Sequence, residues 1–307
     1  MTAPSWLSAA DAAWRALRRA SRGPSVRRFG VALSAFVLWL LSSTRAVAAE
    51  GEWNAPPAQS FFHPDSVVLP WSQQEPRWFG AASIDLGFIY FRPRFSTGYG
   101  RPHSRWFGVD VNPIFSSEGI ATYAGLRLEL PLFNLRAGAR YWNTFQRSFL
   151  EPRERYSVED IELRQGPKST FVTWESELTF NVPIGPGWVL VELAGSYVTG
   201  VPDAYYVYEE TLRVVVDPPW VWRTRVGYTL ALDRAATVIV GPIFEVVGVP
   251  KRGTQVYRAG GLIRVSLGVD LEARGTFVPA IVTPDPLGAE GADTFLLGIR
   301  YRWATGP

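Results

Sequence analysis

Residues 222–232 read WRTRVGYTLAL, and two different faces alternate along this stretch. Every second residue is apolar, aromatic or threonine (W, T, V, Y, L, L), and the residues between them are R, R, G, T and A. A period of two residues places successive side chains on opposite faces of a β-strand. Eleven alternating residues are about twice the usual length of a strand in a soluble protein. We therefore predict a long strand that separates an apolar from a polar environment.

The same alternation continues through most of the chain beyond residue 81. The clear runs are residues 83–91, 106–112, 125–130, 135–141, 173–182, 188–197, 222–232, 237–246, 257–274 and 294–303. After residue 50 no segment shows an apolar stripe with the helical period, so we predict an all-β body of mostly antiparallel strands. Tight turns are predicted at 131–134, 183–187 and 233–235, whereas 147–168 and 199–219 are long polar connections.

Strand length and aromatic position favour a transmembrane barrel over a soluble sandwich or a lipocalin-like barrel. Most runs have about 9–13 residues, and a strand that crosses a bilayer needs about 9–11. Aromatic residues on the apolar faces lie near the ends of the runs, where an amphipathic ring can sit at a headgroup boundary. These predicted interface aromatics are Tyr141, Trp174, Trp222, Tyr228, Tyr301 and Trp303. We predict an antiparallel up-and-down β-barrel with its apolar face toward lipid.

The strand count follows from parity. A single-chain barrel of this kind has an even number of strands, short turns on one side and long loops on the other. Ten runs are even in number but put the tight turns on the long-loop side. An additional strand near 58–70, with 256–283 split by a turn near 272–275, gives twelve strands. It also places 147–168, 199–219 and 284–292 at one end. We predict twelve strands, with ten as the alternative.

The N-terminal region has the organisation of a secretory signal peptide. Residues 31–41, VALSAFVLWLL, form a short apolar segment after Arg27 and Arg28, and a small-residue site, AVA, follows at 46–48. An apolar segment of this length is too short to span a bilayer as a helix. We expect residues 1–48 to be a cleaved signal peptide with a long n-region and 81–307 to be the β-barrel domain. Residues 49–80 are predicted to be a lead-in segment, with the first strand inside it as the alternative.

Charge and cysteine content exclude several classes of function. Seven of the arginines and a single acid lie in residues 1–49, so that segment carries a charge of +6 against a total of +3, and the remainder carries −3. The basic isoelectric point therefore gives no support for nucleic-acid binding. With no cysteine, disulfides, thiolate metal sites and a lipoprotein anchor are excluded. No glycine-rich phosphate loop between a strand and a helix supports nucleotide chemistry.

The signal-like leader, the long alternating strands and the final strand resemble those of the outer-membrane β-barrel proteins of Gram-negative bacteria. In the final strand one face carries Phe295, Leu297, Ile299, Tyr301 and Trp303. The resemblance implies export, an outer-membrane location, contact with outer-membrane lipid, and recognition of an aromatic residue in the last strand by the barrel assembly machinery. Four residues follow Trp303, which departs from the usual terminal aromatic. The resemblance concerns architecture, so it transfers no functional residue.

The polar faces predict a strongly ionic lumen. Such a lining would act either as the selectivity lining of a pore for a small solute or as a salt-bridged plug. The predicted lumen-lining charges are Arg127, Glu129, Arg136, Arg140, Glu175, Glu177, Glu192, Arg223, Arg225, Glu245, Arg258, Arg264, Asp270, Glu272, Arg300 and Arg302, with Arg274 beside them. The leading hypothesis is a porin-like narrow conduit or a structural wall protein. The alternative is a non-conducting barrel whose extracellular loops bind a partner or a surface component.

Enzyme chemistry has little support, and no cofactor is predicted. His103 and Ser104 are adjacent, and adjacent strand residues point to opposite faces, so they cannot form a catalytic dyad. A membrane-embedded hydrolase is therefore the third hypothesis. Two histidines in all are too few for a histidine-rich metal site. The acidic residues of the 147–168 loop lack the spacing of a calcium loop and predict a solvated loop; they are Glu151, Glu154, Glu159, Asp160 and Glu162.

Two further expectations concern single residues. The tyrosines Tyr205, Tyr206 and Tyr208 in the 199–219 connection form either a contact surface for a ligand or partner, or an extension of the strands above the membrane. Leu267 and Arg264 differ by an odd number of positions, so we expect Leu267 on the lipid face near the middle of the bilayer and Arg264 in the lumen.

Overall fold

The computed structural model describes residues 75–305 except 88–89, 117–118, 158–159, 162–167, 234–235, 269, 279–288 and 291–294. The predicted signal peptide and residues 49–74 of the lead-in segment lie outside the described residues. Within the described part, no helix is long and apolar enough to cross a membrane.

Twelve long strands pair in antiparallel fashion and close into a barrel. They are β1 (Arg77–Gly87), β2 (Tyr90–Arg101), β3 (Arg105–Ser116), β4 (Gly119–Glu129), β5 (Phe133–Ser148), β7 (Lys168–Ile184), β8 (Gly187–Thr199), β11 (Trp220–Ala231), β12 (Val238–Val249), β13 (Thr254–Ser266), β14 (Leu271–Phe277) and β16 (Phe295–Ala304). Short strands in the connections are β6 (Tyr156–Ser157), β9 (Val207–Glu209), β10 (Val214–Val216) and β15 (Ala289–Glu290). The predicted all-β barrel and its twelve strands are confirmed.

The strands that make up the count differ from those expected. Residues 83–91 were one predicted strand, yet β1 ends at Gly87 and β2 begins at Tyr90. Residues 88–91 read FIYF, and this continuous apolar run conceals the change of phase at the turn. The barrel closes between β1 and β16, so it is complete without residues 58–70, which lie outside the described residues. β1 begins four residues ahead of the expected boundary at residue 81.

The break in the long 257–274 run also lies elsewhere than expected. β13 ends at Ser266 and β14 begins at Leu271, so the expected turn at 272–275 falls inside β14. The backbone N–H groups of Leu267 and Gly268 donate to the carbonyl of Leu271 and close the turn. Leu267 is therefore a turn residue, 55% exposed, and the expectation that it lies at mid-strand is wrong.

The two ends of the barrel differ. One end, here called the terminal end, holds the first residues of β1 and the last of β16, together with the short β2–β3, β4–β5, β7–β8, β11–β12 and β13–β14 turns. The other, here called the loop end, holds the three long connections 149–167, 200–219 and 278–294. The long connections therefore lie at one end of the barrel, as predicted.

The outward face is apolar and carries two bands of aromatic side chains. Near the terminal end lie Trp78, Tyr99, Phe107, Tyr228, Tyr301 and Trp303, and toward the loop end lie Tyr141, Trp174, Tyr197, Trp220 and Trp222. Aliphatic side chains such as Ile84, Leu126 and Ile299 lie between the bands and are 36%, 54% and 47% exposed. A soluble fold would bury such a belt, whereas lipid accommodates it.

Candidate functional site: the ionic lumen

The inward face holds the predicted charges, with one exception. Each predicted lumen residue other than Asp270 lies at an inward-facing position of its strand. Asp270 lies in the β13–β14 turn, where its backbone carbonyl accepts a hydrogen bond of 2.9 Å from the N–H of Arg302. Asp270 therefore lies at the terminal end of the barrel and not in the lumen wall. The prediction was wrong because the turn interrupts the alternation that suggested a wall position.

A ladder of alternating charge crosses strands β8, β11, β12 and β13. Arg225 donates to Glu192 at 3.1 Å and to Glu245 at 2.6 Å. These three residues lie directly opposite one another in the pairing of β8, β11 and β12. Arg223 also contacts Glu192, and Arg258 donates to Glu245 at 3.0 Å. Cross-strand opposition of unlike charges therefore builds this part of the wall.

The ladder continues on β5 and β7. Arg136 lies 3.4 Å from Glu175 and 3.3 Å from Glu177, its opposite residue on β7. Arg140 binds Glu175 through two nitrogens. Both guanidinium groups also pack on the ring of Tyr123, at 4.9 and 5.5 Å from its centroid. The wall at this point is a layered stack of tyrosine, arginine and carboxylate.

A second ionic group surrounds Asp85, whose carboxylate contacts three guanidinium groups. Arg92, Arg274 and Arg300 approach one of its oxygens at 2.9, 3.0 and 2.8 Å. Glu272 lies nearby and binds Arg302 at 2.8 Å. The sequence interpretation missed Asp85, which lies in the 83–91 run that was taken as a single strand, and Arg92, which follows that run directly. The signal that could have found them is the change of phase on either side of residues 88–89.

A third ionic group surrounds Asp110 on β3. Arg127 donates to Asp110 at 3.3 Å, and Ser96 donates to its other oxygen at 3.0 Å. Arg127 also binds Glu129 at 3.2 Å. Asp110 is fully buried, and Arg94 of β2 lies 3.6 Å from it, beyond hydrogen-bond distance. Sequence reasoning missed both: Asp110 lies inside the predicted 106–112 run but was not singled out, and Arg94 of β2 lies in none of the predicted runs.

The three groups together carry an excess of positive charge. The ladder has Arg136, Arg140, Arg223, Arg225 and Arg258 against Glu175, Glu177, Glu192 and Glu245; the Asp85 group has Arg92, Arg274, Arg300 and Arg302 against Asp85 and Glu272; the Asp110 group has Arg94 and Arg127 against Asp110 and Glu129. Eleven guanidinium groups thus face eight carboxylates. A lumen of this composition attracts anions.

A cavity of about 260 Å³ lies in the terminal half of the lumen. Its lining is Arg94, Ser104, Arg127, Glu129, Leu130, Pro131, Asn134, Arg136, Glu177, Thr179, Asn181 and Arg300. Ser104 belongs to the β2–β3 turn and Pro131 to the β4–β5 turn, so the cavity extends to the terminal end. Four guanidinium groups and two carboxylates among the lining residues make its surroundings electropositive.

The loop end of the lumen is filled by an apolar hairpin. Strands β9 and β10 form a two-stranded sheet within the 200–219 connection, here called the plug hairpin. Val207, Val214 and Val216 of this hairpin are almost completely buried. They join one apolar cluster with inward-facing residues of the wall, which are Ala121, Trp142, Phe171, Val198, Val221, Val247, Val249 and Val256. Burial of this area from water favours the inserted position of the hairpin.

Polar contacts also hold the plug hairpin to the wall. Arg258 donates to the backbone carbonyls of Leu212 and Arg213 at 3.0 and 2.9 Å, across the hairpin turn. Glu209 of β9 is 1% exposed and accepts a 2.5 Å hydrogen bond from the N–H of Leu212. Burial, with Glu175 nearby, raises the pKa of the Glu209 carboxyl to about 7. The hairpin therefore brings one buried titratable group into the lumen.

The tyrosines of the 200–219 connection pack inside a cap over the loop end. Tyr206 pairs through its backbone with Leu150 of the 149–167 connection. The guanidinium of Arg252 lies over the rings of Tyr156 and Tyr206, 5.6 and 5.3 Å from their centroids. The ring of Tyr205 packs against the ring of Phe149, and the guanidinium of Arg147 lies over the ring of Tyr208. These rings connect the loops to each other. This arrangement matches neither the expected contact surface nor the expected extension of the strands in full.

The remaining candidate residues are placed as follows. The Nε2 of His103 lies 3.0 Å from the backbone carbonyl oxygen of Trp303. Asp160 binds the N–H of Ser157, which lowers the pKa of its carboxyl, and Arg153 lies 2.7 Å from it. Glu159 and Glu162 lie outside the described residues. Among the residues that the structure describes, no cluster of three or more potential metal ligands occurs.

Comparison with known proteins finds several solved structures of low similarity and no sequence family. No family model matches the chain, and no curated protein matches it. Solved structures that match include the outer membrane protein Omp33 of Acinetobacter baumannii, with 11% identity and a TM-score of 0.35, covering 75% of this chain and 99% of that one. The NanC porin matches with 9% identity and a TM-score of 0.33, over 75% and 99% of the two chains.

A third match is a loop-deletion mutant of OmpT, an outer membrane protein of Vibrio cholerae. It has 10% identity and a TM-score of 0.31, and the match covers 74% of this chain and 99% of that one. The resemblance to outer-membrane β-barrel proteins is thus one of architecture. What this chain does has to be argued from its own lumen.

Proposed function

We propose that this protein is an outer-membrane barrel that forms a narrow conduit for small anions, and that the plug hairpin closes the conduit at the loop end. The observation that carries the proposal is the stratified lumen. An electropositive cavity extends to the terminal end, and an apolar cluster around the plug hairpin occupies the loop end. The charge around the cavity selects anions, and the close-packed apolar cluster at the loop end prevents ions from passing.

The outer-membrane location rests on the outward face. Exposed apolar side chains surround the barrel between two aromatic bands, the arrangement that lipid and its headgroup boundaries favour. The expected signal peptide supports export. In this orientation the terminal end faces the periplasm, because the long connections of such barrels lie on the extracellular side.

Single-channel recording in planar bilayers tests the conduit. We expect the intact protein to give rare or no conductance steps, because the buried side chains of Val207, Val214 and Val216 close the loop end of the lumen. A variant in which residues 203–217 are replaced by a short Gly-Ser linker should give frequent steps. The reversal potential in a salt gradient should show preference for the anion, since guanidinium groups outnumber carboxylates. Shortening residues 281–288 is the matched control, because that connection contributes no described residue to the apolar cluster.

The alternative is a non-conducting barrel whose loops bind a partner. The cap built from the 149–167 and 200–219 connections favours it, because Leu150, Tyr156 and Val215 give that surface a core of its own. Silence of the linker variant, with the barrel folded by heat-dependent gel mobility, would overturn the conduit and leave this alternative. The hydrolase hypothesis has no geometric support from the His103 and Ser104 pair.

A further inference from the structure

The guanidinium of Arg94 differs from its neighbours in the lumen. Arg92, Arg127 and Arg300 each donate hydrogen bonds to a carboxylate. The Nε of Arg94 is buried and makes no hydrogen bond; Oδ2 of Asp110 lies 3.6 Å from it, within ion-pair distance but beyond hydrogen-bond distance. The side chain of Arg94 is only 17% exposed. A buried guanidinium nitrogen without a hydrogen-bonded partner is costly, so the site has capacity for a further acceptor.

The carboxylates near Arg94 are already engaged. Asp110 accepts hydrogen bonds from Arg127 and from Ser96. Asp85, the next carboxylate along the wall, contacts Arg92, Arg274 and Arg300. Both carboxylates are thus shared among several guanidinium groups, and at the cavity itself four guanidinium groups lie beside two carboxylates, which leaves an excess of positive charge.

The cavity offers the space for a neutralising group. It has a volume of about 260 Å³, and Arg94, Arg127, Arg136 and Arg300 all line it. A water molecule occupies roughly 30 Å³ in the liquid, so a ligand the size of several waters fits. Thr179 and Asn181 line the same cavity and supply uncharged hydrogen-bonding groups.

We propose that the cavity is a binding site for a small oxyanion, phosphate or a short carboxylate, with Arg94 as the residue that binds it directly. Oxygen atoms arranged around one phosphorus or carbon match the planar donor fork of a guanidinium. The cavity extends to the terminal end, so the anion enters from that side while the plug hairpin is in place. This inference deepens the proposed function by naming the class of solute, but it concerns equilibrium binding and not flow.

Binding of inorganic phosphate to the folded protein in detergent micelles tests the site. Titration calorimetry of the intact chain should show saturable binding that sulfate competes for and chloride does not. Arg94→Met should weaken phosphate binding by about tenfold or more, the usual consequence of losing one charge-assisted pair. Arg105→Met is the matched control. Arg105 lies at the exposed start of β3, outside the cavity lining, and its removal changes the net charge equally.

A second variant covers the case in which Arg94→Met fails to fold. Thr179→Glu keeps every arginine and adds a negative charge to the cavity lining, so it should also abolish phosphate binding while Arg105→Met retains it. Loss of binding in both cavity variants with retention in the control supports the site. Absence of saturable phosphate binding by the intact chain overturns it, as does equal affinity in Thr179→Glu. Phosphate binding together with a silent, folded 203–217 linker variant would refute the conduit alone, and conductance of the linker variant without phosphate binding by the intact chain would refute the site alone.

Discussion

The carboxylate of Glu209 accepts a 2.5 Å hydrogen bond from the backbone N–H of Leu212, three residues further along the plug hairpin. Both residues are buried, and the charges of Glu175 of β7 and Arg140 of β5 act on the Glu209 carboxyl in opposite directions. The hydrogen bond favours the ionised carboxyl, whereas burial and Glu175 favour the neutral one. Burial dominates, and the pKa of Glu209 rises to about 7.

This raised pKa predicts that the inserted hairpin is more stable in acid. With the hairpin released into water, the pKa of Glu209 would be near its ordinary value of 4.5, against about 7 when the hairpin is inserted. The inserted state therefore binds more protons between these values, and its stability falls as the pH rises from about 4.5 to about 7. We expect hydrogen exchange of the hairpin amides, corrected for intrinsic rates, to accelerate over this window, and bilayer conductance to become more frequent.

Glu209→Gln is the variant that isolates this titration. An amide keeps the shape and the acceptor for the Leu212 N–H but cannot ionise, so the pH dependence of hairpin opening should flatten. Asp217→Asn serves as a control in the same connection, because its carboxylate pairs with Lys251 at the surface, 2.7 Å away. Unchanged pH dependence in Glu209→Gln would show that another group controls the hairpin.

Sequence alone recovered the barrel, its strand number and the inward position of most charged residues, for a definite physical reason. The alternation of Trp222 through Leu230 reports which side of a strand each residue faces, whatever its partners are. The limits of strands were wrong where both faces are apolar, as at 88–91, and this concealed the inward-facing Asp85. Tyr208 and the plug hairpin could not be foreseen, because a loop that folds into a lumen leaves no periodic pattern.

The outward face predicts a difference between two exposed positions. Ile299 lies at the middle of β16 and is 47% exposed, while Leu267 lies in the β13–β14 turn and is 55% exposed. In lipid, Ile299→Arg should reduce the free energy of unfolding by about 2–4 kcal/mol, because it places a charge near the bilayer midplane. Leu267→Arg should cost about 0–1 kcal/mol near the interface. Urea unfolding from lipid vesicles measures both. Equal and small effects would contradict the lipid-facing assignment.

Close packing of the wall predicts that two glycines respond differently to a methyl group. A Cβ on Gly138 would lie 2.3 Å from the carbonyl oxygen of Ala124 and 2.9 Å from the hydroxyl of Tyr123, whereas on Gly195 the nearest atom is 3.8 Å away. Gly138→Ala should destabilise the barrel by about 1–3 kcal/mol through overpacking. Gly195→Ala should be close to neutral. Heat-dependent gel mobility across a temperature series compares the two, and equal midpoints would refute the close contact.

The Asp85 group predicts a large effect from the loss of one carboxylate. Asp85 is 4% exposed and holds Arg92, Arg274 and Arg300, which belong to three different strands. Asp85→Ala leaves three guanidinium groups together without their shared acceptor, and breaking a buried ion pair in this way costs about 3–5 kcal/mol. Asp233→Ala is the control, because Asp233 lies exposed in the β11–β12 turn, where it accepts a backbone hydrogen bond of 3.0 Å from Val238. Its loss should destabilise the barrel much less than that of the buried Asp85. Urea unfolding in vesicles at low and high salt measures the stability of both variants.

Two outcomes are informative. If added phosphate restores Asp85→Ala toward the stability of the intact chain, the freed guanidinium groups have accepted an external anion. If Asp85→Ala unfolds no more readily than Asp233→Ala, the three arginines do not depend on this carboxylate.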